Sequence, residues 1–130
     1  MSEYQTIVRI LPSLISISDE DLRVESILTY TKSNPFEIKL EVNTFEDTVI
    51  SSIFSRELLL YGCATRTGIG SVCVESSEGI TEVTLTTEER TVRVTFDTFD
   101  IVDFVNETTK IVRFGFEKIE IPNDISSLLN

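Results

Sequence analysis

The chain has 130 residues, with 22 Asp and Glu against 11 Lys and Arg, no histidine and a net charge of −11. That length suits one domain, so 1–130 is read as a single unit. A surface this acidic repels a phosphate backbone, and without imidazole the usual general base, the commonest zinc ligand and the histidine triads are excluded.

The two cysteines, Cys63 and Cys73, form neither a CxxC pair nor part of a Cys/His cluster, so no metal site is expected and the thiols are read as reduced. The start of the chain shows no basic segment leading into an apolar one. No apolar run approaches the ~20 residues that span a bilayer. The expectation is a cytoplasmic protein without cofactor.

In chain order, most of the sequence reads as strands, with Val, Ile, Thr and Phe recurring at period two. A first strand over 4–11 is expected to stop at Pro12, which cannot donate to a ladder. A second, 22–30, places Leu22, Val24, Leu28 and Tyr30 on one face. Ser33-Asn34-Pro35 signals a turn, and 36–42 then alternates, with Phe36, Ile38, Leu40 and Val42 inward, making an antiparallel hairpin. The strand 48–54 has Val49 and Ile53 as its core candidates.

The period changes at Ser55, an N-cap serine followed by strong helix formers and closed by Gly62, which predicts a two-turn helix. Residues 65–70 read as a glycine-containing loop; it lacks the Lys-Ser/Thr of a phosphate loop and leads into a strand, so its glycines serve a turn. Three strands follow, 71–75, 80–86 and 90–96, joined by turns at 77–79 and 87–89. Cys73 alternates away from Val72 and Val74.

Asp97 opens a longer helix as N-cap, with Asp100 and Asp103 near its positive end and Ile101, Phe104 and Val105 as the core stripe. Residues 111–121 favour a strand by β-branched and aromatic content, interrupted by Gly115, and Asn123 or Asp124 could cap a short terminal helix ending at Leu128-Leu129. The pattern predicts one α+β domain. Asp97, Asp100, Asp103 and Glu107 read as a solvated ridge, and between Glu75 and Glu107 nine acids face two arginines, a surface suited to a basic partner or to solubility.

Three blocks resemble the SsgA-like family of bacterial sporulation and cell-division proteins. Tyr30, Pro35-Phe36 and Ile38 form the first. The second and most specific is Phe54-Ser55-Arg56-Glu57-Leu58-Leu59 with Gly62, then Thr67-Gly68 with Gly70, Val72 and Val74. It is similar to the family's Phe-Ala-Arg-Asp-Leu-Leu-x-x-Gly and Thr-Gly-x-Gly-Asp-Val-x-Val, with Ser55, Glu57 and Ser71 departing from it. The helix over 99–108 and the terminal Leu128-Leu129 match in pattern.

The resemblance implies a Whirly-like fold: a twisted antiparallel sheet with a short and a longer helix packed on it, in a bell-shaped homotrimer. It implies a non-enzymatic adaptor that recruits FtsZ and promotes its assembly at the division septum, directly or through a membrane-bound partner. Arg56, Glu57, Thr67, Gly68 and Gly70 are the candidate partner-binding residues. The rival reading is single-stranded nucleic-acid binding on a Whirly-like sheet, which wants exposed aromatics beside lysines. The lysines here are sparse.

Overall fold

In the computed structural model, residues 5–17, 19–43, 49–62, 67–69, 72–86 and 90–117 are described, with backbone alone at 49 and 67–69. Alternation builds eight strands, β1 (Thr6–Ile17), β2 (Glu20–Thr31), β3 (Glu37–Asn43), β4 (Val49–Ser55), β5 (Thr67–Ile69), β6 (Val72–Ser77), β7 (Ile80–Thr86) and β8 (Thr91–Asp97). Helix α1 (Arg56–Gly62) follows β4 and helix α2 (Thr98–Ile111) follows β8. Every pairing is antiparallel, in the order β4-β3-β2-β1-β8-β7-β6-β5. The α+β expectation is met.

The chain is wired as two like halves: a four-strand meander and a helix, twice over. They join where β1 meets β8, through Leu14↔Thr95 to Ile17↔Val92. One side of the sheet is mainly apolar, with Ser26 and Thr81 buried among its aliphatic residues. Ile38, Leu40 and Val42 of β3, Leu28 of β2, and Val74, Val83 and Val94 of β6, β7 and β8 are buried there beneath Leu58 and Leu59 of α1 and Ile101 and Phe104 of α2. The turn predicted at 77–79 holds: Ser77 pairs with Ile80, and Glu78 (φ 52) and Gly79 (φ 81) take the two left-handed positions of a two-residue hairpin.

Several expectations are corrected. The first strand does not stop at Pro12 but runs on to Ile17. Pro12 lies opposite Glu25 of β2 while β8 supplies partners only from Leu14, so one flank is open where the N–H is missing. Ile53 is 58% exposed, because β3 sets the register of β4 and puts Ile50, Ser52 and Phe54 opposite Val42, Leu40 and Ile38. Ser52, polar at an inward position, disguised that alternation. Phe36 is also exposed, since it lies in the turn before β3. Residues 67–69 of the expected loop form β5 on β6.

The strand expected over 111–121 is absent through residue 117. Helix α2 continues to Ile111, Val112 turns extended, and Gly115 takes φ 89, so 112–117 form an irregular strap. Val49's side chain, Cys63, the 87–89 turn and the terminal helix lie outside the described residues.

Candidate functional site

Helix α1 begins with a residue of the wrong charge. A cation at the first helical position opposes the helix dipole, so Arg56 calls for another reason to be there. Ser55 satisfies the helix end in its place, its Oγ accepting from Glu57 N at 3.2 Å, as predicted. The Arg56 backbone N–H donates to Phe36 O at 2.7 Å, and its side chain turns inward with no exposure at all.

There the guanidinium meets the opposite end of α2, where carbonyls run out of helical donors and cations are favoured. Nη1 donates to Val112 O at 2.6 Å, and to Thr108 O and Oγ1 at 3.4 Å. Nη2 donates to Glu117 Oε2 at 2.6 Å, a pair with side-chain exposures of 0% and 6%. The charge lies between two rings, 4.1 Å from the centroid of Phe114 and 5.0 Å from that of Tyr30. Nε alone is buried with no partner among the described residues.

The neighbours titrate accordingly. Burial opposes ionisation of Glu117, but hydrogen bonds from Arg56 and from backbone N–H groups, with the Arg56 charge, hold its carboxyl below the ordinary glutamate value. Burial pushes the Tyr30 phenol up, the Arg56 charge draws it back, and the Glu117 charge adds to the rise. The Tyr30 hydroxyl donates to Pro35 O at 3.0 Å, tying the β2–β3 turn to the same cluster.

The far end of α1 is fixed by shape. A Cβ on Gly62 would lie 2.6 Å from Val74 Cβ, so only glycine lets the helix approach β6 this closely. Gly62 avoids the left-handed φ of a helix-ending glycine; packing, not capping, selects it.

The nominated residues therefore separate. Arg56 is enclosed, out of a partner's reach in this conformation, while Glu57 stands exposed one residue on. The Thr67 and Gly68 backbones pair with Val74 and Cys73, on a strand packed beside α1. Gly70 lies outside the described residues. Sequence reasoning missed Tyr30, Thr108, Phe114 and Glu117 as the shell of Arg56; the available signal was an acid directly after an aromatic pair, Phe114-Gly115-Phe116-Glu117. It missed too that Phe36 and Tyr61, at 43% and 53% exposure, and Val8, Ile10 and Ile53 on the outer sheet face stay open.

Among the described residues no group of His, Cys, Asp and Glu could hold a metal ion, and no helix is long and apolar enough to cross a membrane. Cys73 is a free, half-buried thiol on the outer face.

Residues 24–117 match the family model described as Streptomyces sporulation and cell division protein, SsgA. The fold is similar to that of an SsgA-like sporulation-specific cell division protein from Thermobifida fusca, with TM-score 0.83 and 23% identity over 99% of this chain and 96% of that one. It is also similar to a structure reported with mutations in SsgB that correlate to longitudinal cell division during sporulation of Streptomyces coelicolor, with TM-score 0.79 and 23% identity over 88% and 94%. No curated protein matches significantly.

Proposed function

Because the chain belongs to the SsgA family of sporulation and cell-division proteins, we propose that it is a non-enzymatic division adaptor. In this reading it is cytoplasmic, gathers at the division septum, recruits FtsZ and promotes its assembly, and works as a homotrimer. The observation that carries it is the construction of the most family-like block. Arg56 and Gly62 lock the two ends of α1 to the core, so the helix holds Glu57 and Tyr61 outward, with the Phe36 carbonyl bonded at its start. Binding surfaces built on rigid elements lose little entropy on association.

A division role follows from the family, and FtsZ is the client this reading names. Sedimentation of FtsZ with and without the protein tests it: co-pelleting and more polymer are expected, and neither would remove FtsZ as client. Light scattering after size exclusion tests the trimer, which a monomer peak would overturn. The outer face of β6 and β7, with Glu75 opposite Glu82, weighs against the nucleic-acid reading, because like charges there repel phosphate.

A further inference from the structure

Arg56 is a carboxylate binder whose ligand belongs to the same chain. Glu117 uses one oxygen on Nη2 of Arg56 and the other on its own turn, Oε1 accepting from Gly115 N at 2.8 Å. A carboxylate that meets a guanidinium side-on takes two parallel N–H groups, yet here Nε is left buried and unpartnered among the described residues. Such an orphan is costly. The pocket offers one more donor than its occupant uses.

The occupant is held at few points. Val112 N donates to Thr108 O of α2 and, within the strap, Phe116 N to Arg113 O, both at 3.0 Å. Among the described residues, the strap's ties to the other elements run through that bond to α2, through Arg56 and through the half-burial of Val112 and Phe114 against the core. Phe116 is 62% exposed, with the Arg113 guanidinium 5.1 Å from its ring centroid. Segments with few buried contacts open first.

We propose that Arg56 is a receptor for a partner's carboxylate, closed in the free protein by its own strap. Glu117 is the resident ligand; when 112–117 lift, Arg56 and Tyr30 are uncovered together. The incoming segment turns as the strap does and carries an aromatic residue three positions before a Glu or Asp, as Phe114 stands to Glu117. Its acid takes Nη2 and the idle Nε, and its ring takes the face of the guanidinium that Phe114 leaves. That the incoming chain is a division protein rests on the reading above; the receptor does not.

The probe is a labelled peptide of the strap, Val-Arg-Phe-Gly-Phe-Glu, with a Gln-ended control, offered to the full chain and to Glu117→Gln. Amide exchange at Gly115 and Phe116 is expected to quicken about tenfold or more in Glu117→Gln, the loss of one charge-assisted hydrogen bond. The Glu peptide is expected to bind Glu117→Gln about tenfold or more tighter than wild type, and tighter than the control peptide by as much. Adding Arg56→Lys, which keeps the charge without the planar fork, should abolish that preference.

Unchanged exchange at the strap would overturn the proposal, as would equal binding of the two peptides. Exchange rising equally through β2 and β3 would overturn the strap as a separable element. FtsZ pelleting in parallel keeps the two readings apart: peptide binding without any effect on FtsZ polymer supports the receptor and removes only FtsZ as its client.

Discussion

The first half of the molecule, β1 to α1, and the second, β5 to α2, share one wiring and differ in what they turn outward. On the outer face of the first, Ile10 lies opposite Ile27, and Ile53 opposite Lys39, with Val8, Ile10 and Ile53 each more than half exposed. On the outer face of the second, Thr84 lies opposite Cys73 and Arg93, and Glu82 opposite Glu75 and Thr95. The inner faces are alike because both must bury against helices. The outer faces carry no such demand, so they are where a repeated topology can diverge: both carry acids, Glu25, Glu37 and Glu41 on the first and Glu75 and Glu82 on the second, but only the first sets exposed Val8, Ile10 and Ile53 among them.

The helices divide in the same way. Helix α2 has 14 residues and caps itself, Asp97 accepting from Phe99 N at 2.9 Å. Helix α1 has seven, too few to stand alone, and its positions are decided by the other half, Arg56 by the end of α2 and Gly62 by Val74.

The sharpest way to break the comparison is Arg56→Ala, which cuts the tie between halves and strands Glu117. Urea denaturation should show a loss of about 3–5 kcal/mol, the scale for removing one partner of a buried pair. A milder break of the same tie is acid. The Glu117 value is depressed in the fold, so its contribution is fully present above the ordinary 4.5 and is lost as pH falls through the depressed value. Stability and strap protection should therefore decline together below about pH 4.5, and the decline should shrink in Glu117→Gln.

Next in size is Gly62→Ala, which forces α1 off Val74. About 1–3 kcal/mol is expected in the same denaturation, with a larger near-ultraviolet dichroism change than a left-handed cap glycine would give. The smallest effect belongs to Ile53→Thr on the outer face, within about 0.5 kcal/mol of wild type. Light scattering of that variant reads whether the exposed aliphatic residues take part in association, sharpening the contrast with the second half.

Local signals carried much of the fold. Ser55 and Asp97 cap their helices as the residue types require, Glu78-Gly79 makes the two-residue turn, and β3 alternates with Ile38, Leu40 and Val42 inward. Each of these is settled by neighbours within a few residues, which is why composition and spacing reveal it.

What the sequence could not display depends on partners far along the chain. The persistence of β1 past Pro12 needs β8 to begin its pairing at Leu14, some eighty positions away. The outward turn of Ile53 needs the register of β3. The candidate site shows the division most plainly: the Phe54-to-Gly62 block marks the family from sequence alone, and within it Arg56 reads as a candidate partner-binding residue. Only tertiary structure brings Tyr30, Thr108 and Glu117 around it. Sequence by itself determined an acidic, strand-rich α+β domain of the SsgA family. Tertiary structure decided that its central arginine is enclosed, because a buried charge is tolerable only where distant carbonyls and a carboxylate converge on it.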